Sequence, residues 1–193
     1  DSGYDVCQWP SGPLISGSIT HPNGVKGSFI LNPELHGRSN VLRRENYPKK
    51  LDYVSKCFGT MAVKMKTLSG PKIPDYKWHY NYSNNKGFYT ENTITSAMRL
   101  ANAPASIDNI NYKKTSVTSP DGSKTYYYHN RDFSSALDGK LVLTEYLDID
   151  GTTLLKSVHT QYKQGPLIGG AELQLENNKA TNYQINQLKT TIT

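Results

Sequence analysis

Along residues 46–70, NYPKKLDYVSKCFGTMAVKMKTLSG, the apolar residues Leu51, Val54, Phe58, Met61, Met65 and Leu68 recur at alternating steps of three and four. That spacing gathers side chains on one face of a helix. Pro48 suits a first helical turn with Asn46 as a cap upstream, and Gly70 followed by Pro71 is a stop. The pattern predicts a main helix over about 48–58, its stripe running on to 68. A strand over 60–67 competes with the extension, alternating Met61, Val63 and Met65 against Thr60, Ala62 and Lys64. That reading breaks the element at Gly59, since glycine costs a helix interior about 1 kcal/mol relative to alanine, and the two readings stand level. Ile94, Ala97, Met98 and Ala101, between Asn92 or Thr93 and Pro104, predict a short second helix over about 92–103.

Elsewhere the period is two. In KIPDYKWHYNY, Tyr76, Trp78, Tyr80 and Tyr82 fall on one face of a strand and Lys77, His79 and Asn81 on the other. Residues 112–118 and 124–129 form a hairpin around Ser119-Pro120-Asp121-Gly122, with Pro second and Gly last in the turn. A second hairpin joins 141–148 to 152–162 around Asp150-Gly151; a two-residue loop there pairs Leu147 with Leu154, Leu143 with Val158 and Glu145 with Lys156, and sends Glu145 and His159 to opposite faces. A third joins 171–176 to 180–187, after a glycine-rich crossing at 164–170. Residues 1–34 are rich in Gly, Pro and Ser and predict an irregular arm, with short strands at 14–19 and 29–31 around Pro22-Asn23-Gly24. Together these elements predict an α+β fold: one domain over 1–193, an antiparallel sheet of hairpins packed against the main helix.

Composition adjusts this picture in three places. The 193 residues can bury a core, and 14 Tyr against 4 Phe and 2 Trp suggest polar-tipped aromatics on half-exposed faces. The net charge of +6 admits anionic partners, but it is spread along the chain, which disfavours nucleic acid against a glycan or protein surface. The two cysteines, Cys7 and Cys57, lie far apart without CxxC spacing, and they predict one disulfide between the arm and the main helix rather than a redox or metal site, two free thiols being the alternative. Closing so long a loop is worth roughly 4 kcal/mol in the chain-entropy treatment. With no apolar run near the ~20 residues that span a bilayer and a start at Asp1, the sequence is read as a processed secreted, cell-surface or periplasmic protein.

Chemistry-bearing motifs are sparse. The five histidines show no metal-ligand spacing, and Asp148-Ile149-Asp150-Gly151 lacks the later ligands of a calcium loop. No nucleophile elbow, phosphate loop or dinucleotide fingerprint is present, so no metal or cofactor is expected. The leading reading is a noncatalytic binding or adhesion module for a glycan, surface or protein partner, with Trp78, Tyr80 and Tyr82 as contacts and the basic cluster Arg43, Arg44, Lys49 and Lys50 nearby. The alternative is a small basic nuclease-like hydrolase using His129 with Arg131 in acid–base chemistry. A third reading is a subunit of a surface assembly such as a pilus or secretion apparatus.

Overall fold

The computed structural model describes residues 7, 11–41, 55–83, 87, 111–133, 135–167 and 183–193. They form one nine-stranded antiparallel sheet in which every strand pairs with the next in sequence. The strands are β1 (Ile15–Thr20), β2 (Lys26–Gly37), β3 (Cys57–Gly70), β4 (Ile73–Tyr82), β5 (Tyr112–Thr118), β6 (Lys124–Asn130), β7 (Leu141–Leu147), β8 (Leu154–Leu167) and β9 (Tyr183–Ile192).

The fold is therefore all-β, and the expected α+β architecture is wrong: the described residues contain no helix. Residues 57–70, which the three-and-four spacing assigned to the end and extension of the main helix, are the 14-residue strand β3. The competing strand reading at 60–67 was the right one. Gly59 disfavours a helix interior, the β-branched Thr60, Val63 and Thr67 fit a pleated surface, and β3 gains a full ladder on one side, from Lys26 opposite Ser69 to Gly37 opposite Cys57. The start of the main helix and the whole of the second helix, over 92–103, fall outside the described residues.

The arm reading also changes. Residues 26–37 form a 12-residue strand rather than a short piece, joined to β1 by a turn in which Gly24 donates to the His21 carbonyl at 2.8 Å. The β5–β6 hairpin stands as expected, pairing Thr118 with Lys124, and Gly122 takes the positive φ of 92° that its turn requires. At the β7–β8 hairpin Leu147 does pair with Leu154, but the ladder then slips by one residue. Leu143 faces His159 and Glu145 faces Ser157, so Glu145 and His159 share a face, contrary to the expected register. The slip follows from a loop longer than two residues: Asp148 closes it by donating to the Thr153 carbonyl, and Asp150 accepts the amides of Thr152 and Thr153 at 2.8 Å each. The expected crossing at 164–170 is strand as far as Leu167, and β9 pairs with β8 itself; residues 171–176 lie outside the described residues.

Cys7 and Cys57 are joined in a disulfide with Cα atoms 5.5 Å apart. The bridge fastens the N-terminal segment to the first residue of β3, not to a helix. Such a bond forms in oxidising compartments, and no helix among the described residues is long and apolar enough to cross a membrane.

Two packed regions hold the middle of the sheet. On one face Tyr112, Tyr128 and Leu143 form a buried cluster, joined by Tyr126 and Val142. Beyond the end of β2, residues 38–41 dock against the end of β6. Ser39 donates its amide to the Arg131 carbonyl and accepts that of Phe133, both at 2.9 Å, while its hydroxyl and the Asn40 amide group both reach Asn111 Oδ1. Val41, Ser39 and Phe133 are fully buried there. This junction brings the 36–38 segment beside the 129–131 segment, and the candidate site depends on it.

Candidate functional site

Alternation on β4, β5 and β6 sends Trp78, Tyr80 and Tyr82, Thr115 and Val117, and Thr125, Tyr127 and His129 to the same face. The ladder sets Tyr80 opposite Val117, Tyr82 opposite Thr115 and Thr115 opposite Tyr127. These residues, with Val63, Lys66 and Ser119, line an open trough of about 500 Å³. The three aromatics expected from the sequence as ligand contacts thus line one surface, and Tyr127 joins them.

Several contacts fix the ring orientations. Lys66 holds its ammonium 4.5 Å from the centre of the Trp78 ring, a cation–π contact across the β3–β4 ladder. The Tyr82 hydroxyl donates to the Val63 carbonyl at 2.9 Å. Burial, then the charges of Glu34 and Tyr80, pushes the Tyr82 phenol above its ordinary range, so it remains a neutral donor. Burial raises Tyr127 in the same way, with Tyr146 and Tyr80 as smaller causes.

At Tyr82, Thr115 and His129 the trough runs into a second cavity of about 400 Å³, lined also by His36, Arg38, Phe58, Lys113, Arg131 and Asp138. Two of its basic groups are anchored by the backbone. Lys113 donates to the Leu35 carbonyl at 3.0 Å and Arg131 to the Gly37 carbonyl at 3.3 Å. The Arg38 guanidinium lies between two rings, 5.1 Å from the centre of Phe58 and 5.3 Å from that of Phe133. His36 stacks on Phe58 at 5.3 Å and meets the edge of Tyr82 at 6.2 Å. Its Nε2 atom is buried without a hydrogen-bond partner among the described residues.

Burial sets the charges in this pocket. Desolvation, with a smaller effect from Lys113, lowers His36 to about 4, and desolvation also lowers His129. Both imidazoles are therefore neutral at pH 7. Lys113 is 8% exposed and Arg131 6%; desolvation brings them down to about 8 and about 10, Glu34 opposing the shift at Lys113 and Arg131 adding to it. Both still carry charge at neutral pH, in a setting that disfavours it.

His129 and Arg131, expected from the sequence as a catalytic pair, line this pocket together. His36, Arg38, Lys66 and Lys113 were not anticipated. Tyr127 could have been found from the period-two register of the β5–β6 hairpin, whereas His36 and Arg38 reach the pocket through a junction with residues more than 90 positions away and leave no local signal. Arg43, Arg44, Lys49 and Lys50 lie outside the described residues. Glu145, now on a shared face with His159, lies on the face away from the trough and accepts the Tyr128 hydroxyl at 2.7 Å. Among the described residues no cluster of three His, Cys, Asp or Glu side chains could hold a metal ion. Comparison with known protein families, with curated proteins and with solved structures finds no match to this chain.

Proposed function

We propose that this chain is a noncatalytic carbohydrate-binding module of an extracellular or periplasmic protein, with the saccharide lying along the trough. One observation carries the reading: Trp78, Tyr80, Tyr82 and Tyr127 line a single open depression on a sheet face. Sugar rings present apolar C–H faces that stack on aromatic rings, and the phenol tips supply hydrogen bonds at the edges of those rings. An open shape suits a chain that enters and leaves along its length, whereas a small metabolite is usually enclosed over most of its surface. The test is an array of glycans followed by calorimetric titration of the hits. Trp78→Ala should weaken binding at least about tenfold, equivalent to ~1.4 kcal/mol, with the unfolding midpoint little changed. A variant that binds as well as the parent removes the trough from the reading.

A second reading draws on the pocket, where His129 and Arg131 stand with His36 and Lys113. Two neutral imidazoles beside cations suit acid–base cleavage of a phosphodiester, one taking a proton while the cations stabilise the charged oxygens. Incubation with RNA tests it: cleavage that disappears in His129→Ala supports a hydrolase, and intact RNA eliminates it.

A further inference from the structure

The trough alone does not account for the pocket at its end. We propose that the pocket lined by His36, Arg38, Lys113, His129 and Arg131 receives an anionic substituent, a carboxylate or sulfate ester, on the saccharide that occupies the trough. The ligand class is then acidic polysaccharide; this rests on the carbohydrate reading of the trough.

Four observations support the assignment. The two cavities share Tyr82, Thr115 and His129, so a chain stacked on the rings can place a substituent in the pocket without leaving the surface. Arg38, Lys113 and Arg131 converge on a volume of about 400 Å³, against Asp138 in the lining and Glu34 beside Lys113. The donors are held in advance of binding, Arg38 between two rings and Lys113 and Arg131 on carbonyls, which reduces the ordering cost of binding. Finally, the buried His36 Nε2 has no hydrogen-bond partner among the described residues, in a wall otherwise rich in contacts, and an anion would give it one on taking up a proton.

Planar carboxylate and tetrahedral sulfate share the chemistry required here, an oxyanion that accepts several N–H donors. Their relative affinities identify the natural group. The experiment is calorimetric titration with neutral, uronic-acid and sulfate-ester oligosaccharides of equal length. At least one acidic series should bind about tenfold or more tightly than the neutral one, and Arg38→Gln or His36→Gln should bring that ratio to within about threefold. Equal affinity for neutral and acidic chains overturns the proposal, as does a preference that survives both substitutions. If no oligosaccharide binds, the trough reading has failed by itself, and free glucuronate and inorganic sulfate then decide the pocket. Saturable shifts of the His36 and His129 imidazole resonances support an anion site, and unmoved resonances reject it. Single-stranded RNA that binds more tightly than either acidic saccharide overturns the carbohydrate assignment.

Discussion

Neighbouring residues of β5 and β6 build two unlike faces from nearly the same alphabet. On one, Tyr112, Tyr126, Tyr128 and Leu143 pack together, Lys114 lies 3.4 Å from the centre of the Tyr126 ring, and the Tyr128 hydroxyl is taken up by Glu145. On the other, Tyr127 joins Trp78, Tyr80 and Tyr82 along an open trough that ends in a basic pocket. Each face has tyrosines and a lysine. What separates them is the strand alongside: Leu143 and Glu145 of β7 complete the first face with an apolar side chain and a hydrogen-bond acceptor. Residue type alone does not tell a core from a binding surface; cross-strand partners do.

The largest test of this contrast is Leu143→Ala. Leu143 is 2% exposed at the centre of the packed face, and its truncation should cost about 2–5 kcal/mol, the range for a buried leucine that leaves a cavity. Denaturant unfolding measures the loss, and saccharide affinity at a temperature where the variant remains folded should stay within about twofold. A large drop in affinity with little loss of stability would mean that the two faces are not separate in function.

How far the sequence revealed this arrangement differs from element to element. The β5–β6 hairpin and the Tyr76-to-Tyr82 alternation were legible because a turn signal and a period of two act over a few residues. Strand β3 was misread because Met61, Met65 and Leu68 fit a helical stripe, while Met61, Val63 and Met65 fit strand alternation as well. The ladders to β2 and β4 decide between them, and those partners are not local. The pocket was half legible. His129 and Arg131 could be named together as neighbours on one strand end, while Lys113 reads in isolation as an ordinary solvated charge. Its ammonium donates to the carbonyl of Leu35, which lies 78 positions away.

Acid should distinguish the faces next, with a smaller effect than the cavity. His36 titrates at about 4 in the folded chain against an ordinary 6.5, so between those values the unfolded chain binds more protons. Stability then rises with pH through that window and falls as pH drops from about 6.5 to about 4. His129, also lowered, adds in the same direction. The cost from His36 is on the order of 1–2 kcal/mol, less than the full shift implies because the ring is partly solvated. Thermal unfolding at several pH values measures it. His36→Gln should flatten the profile in this range, and an unchanged slope would place the acid-sensitive group elsewhere.

Tyr82→Phe is the finest test, because Tyr82 belongs to both the trough and the pocket. Its hydroxyl makes a neutral hydrogen bond to the Val63 carbonyl, and deletion should cost about 0.5–1.5 kcal/mol. The ring face remains available for stacking, so affinity for neutral saccharides should fall by no more than about threefold. A loss near that of Trp78→Ala would show that the hydroxyl touches ligand rather than anchoring the ring. A stability loss without an affinity change fits a trough whose rings are positioned by the backbone of β3. The lateral bond from Tyr82 to Val63 would then do for the open face what the bond from Tyr128 to Glu145 does for the packed one: fix a phenol so that its ring presents a set surface.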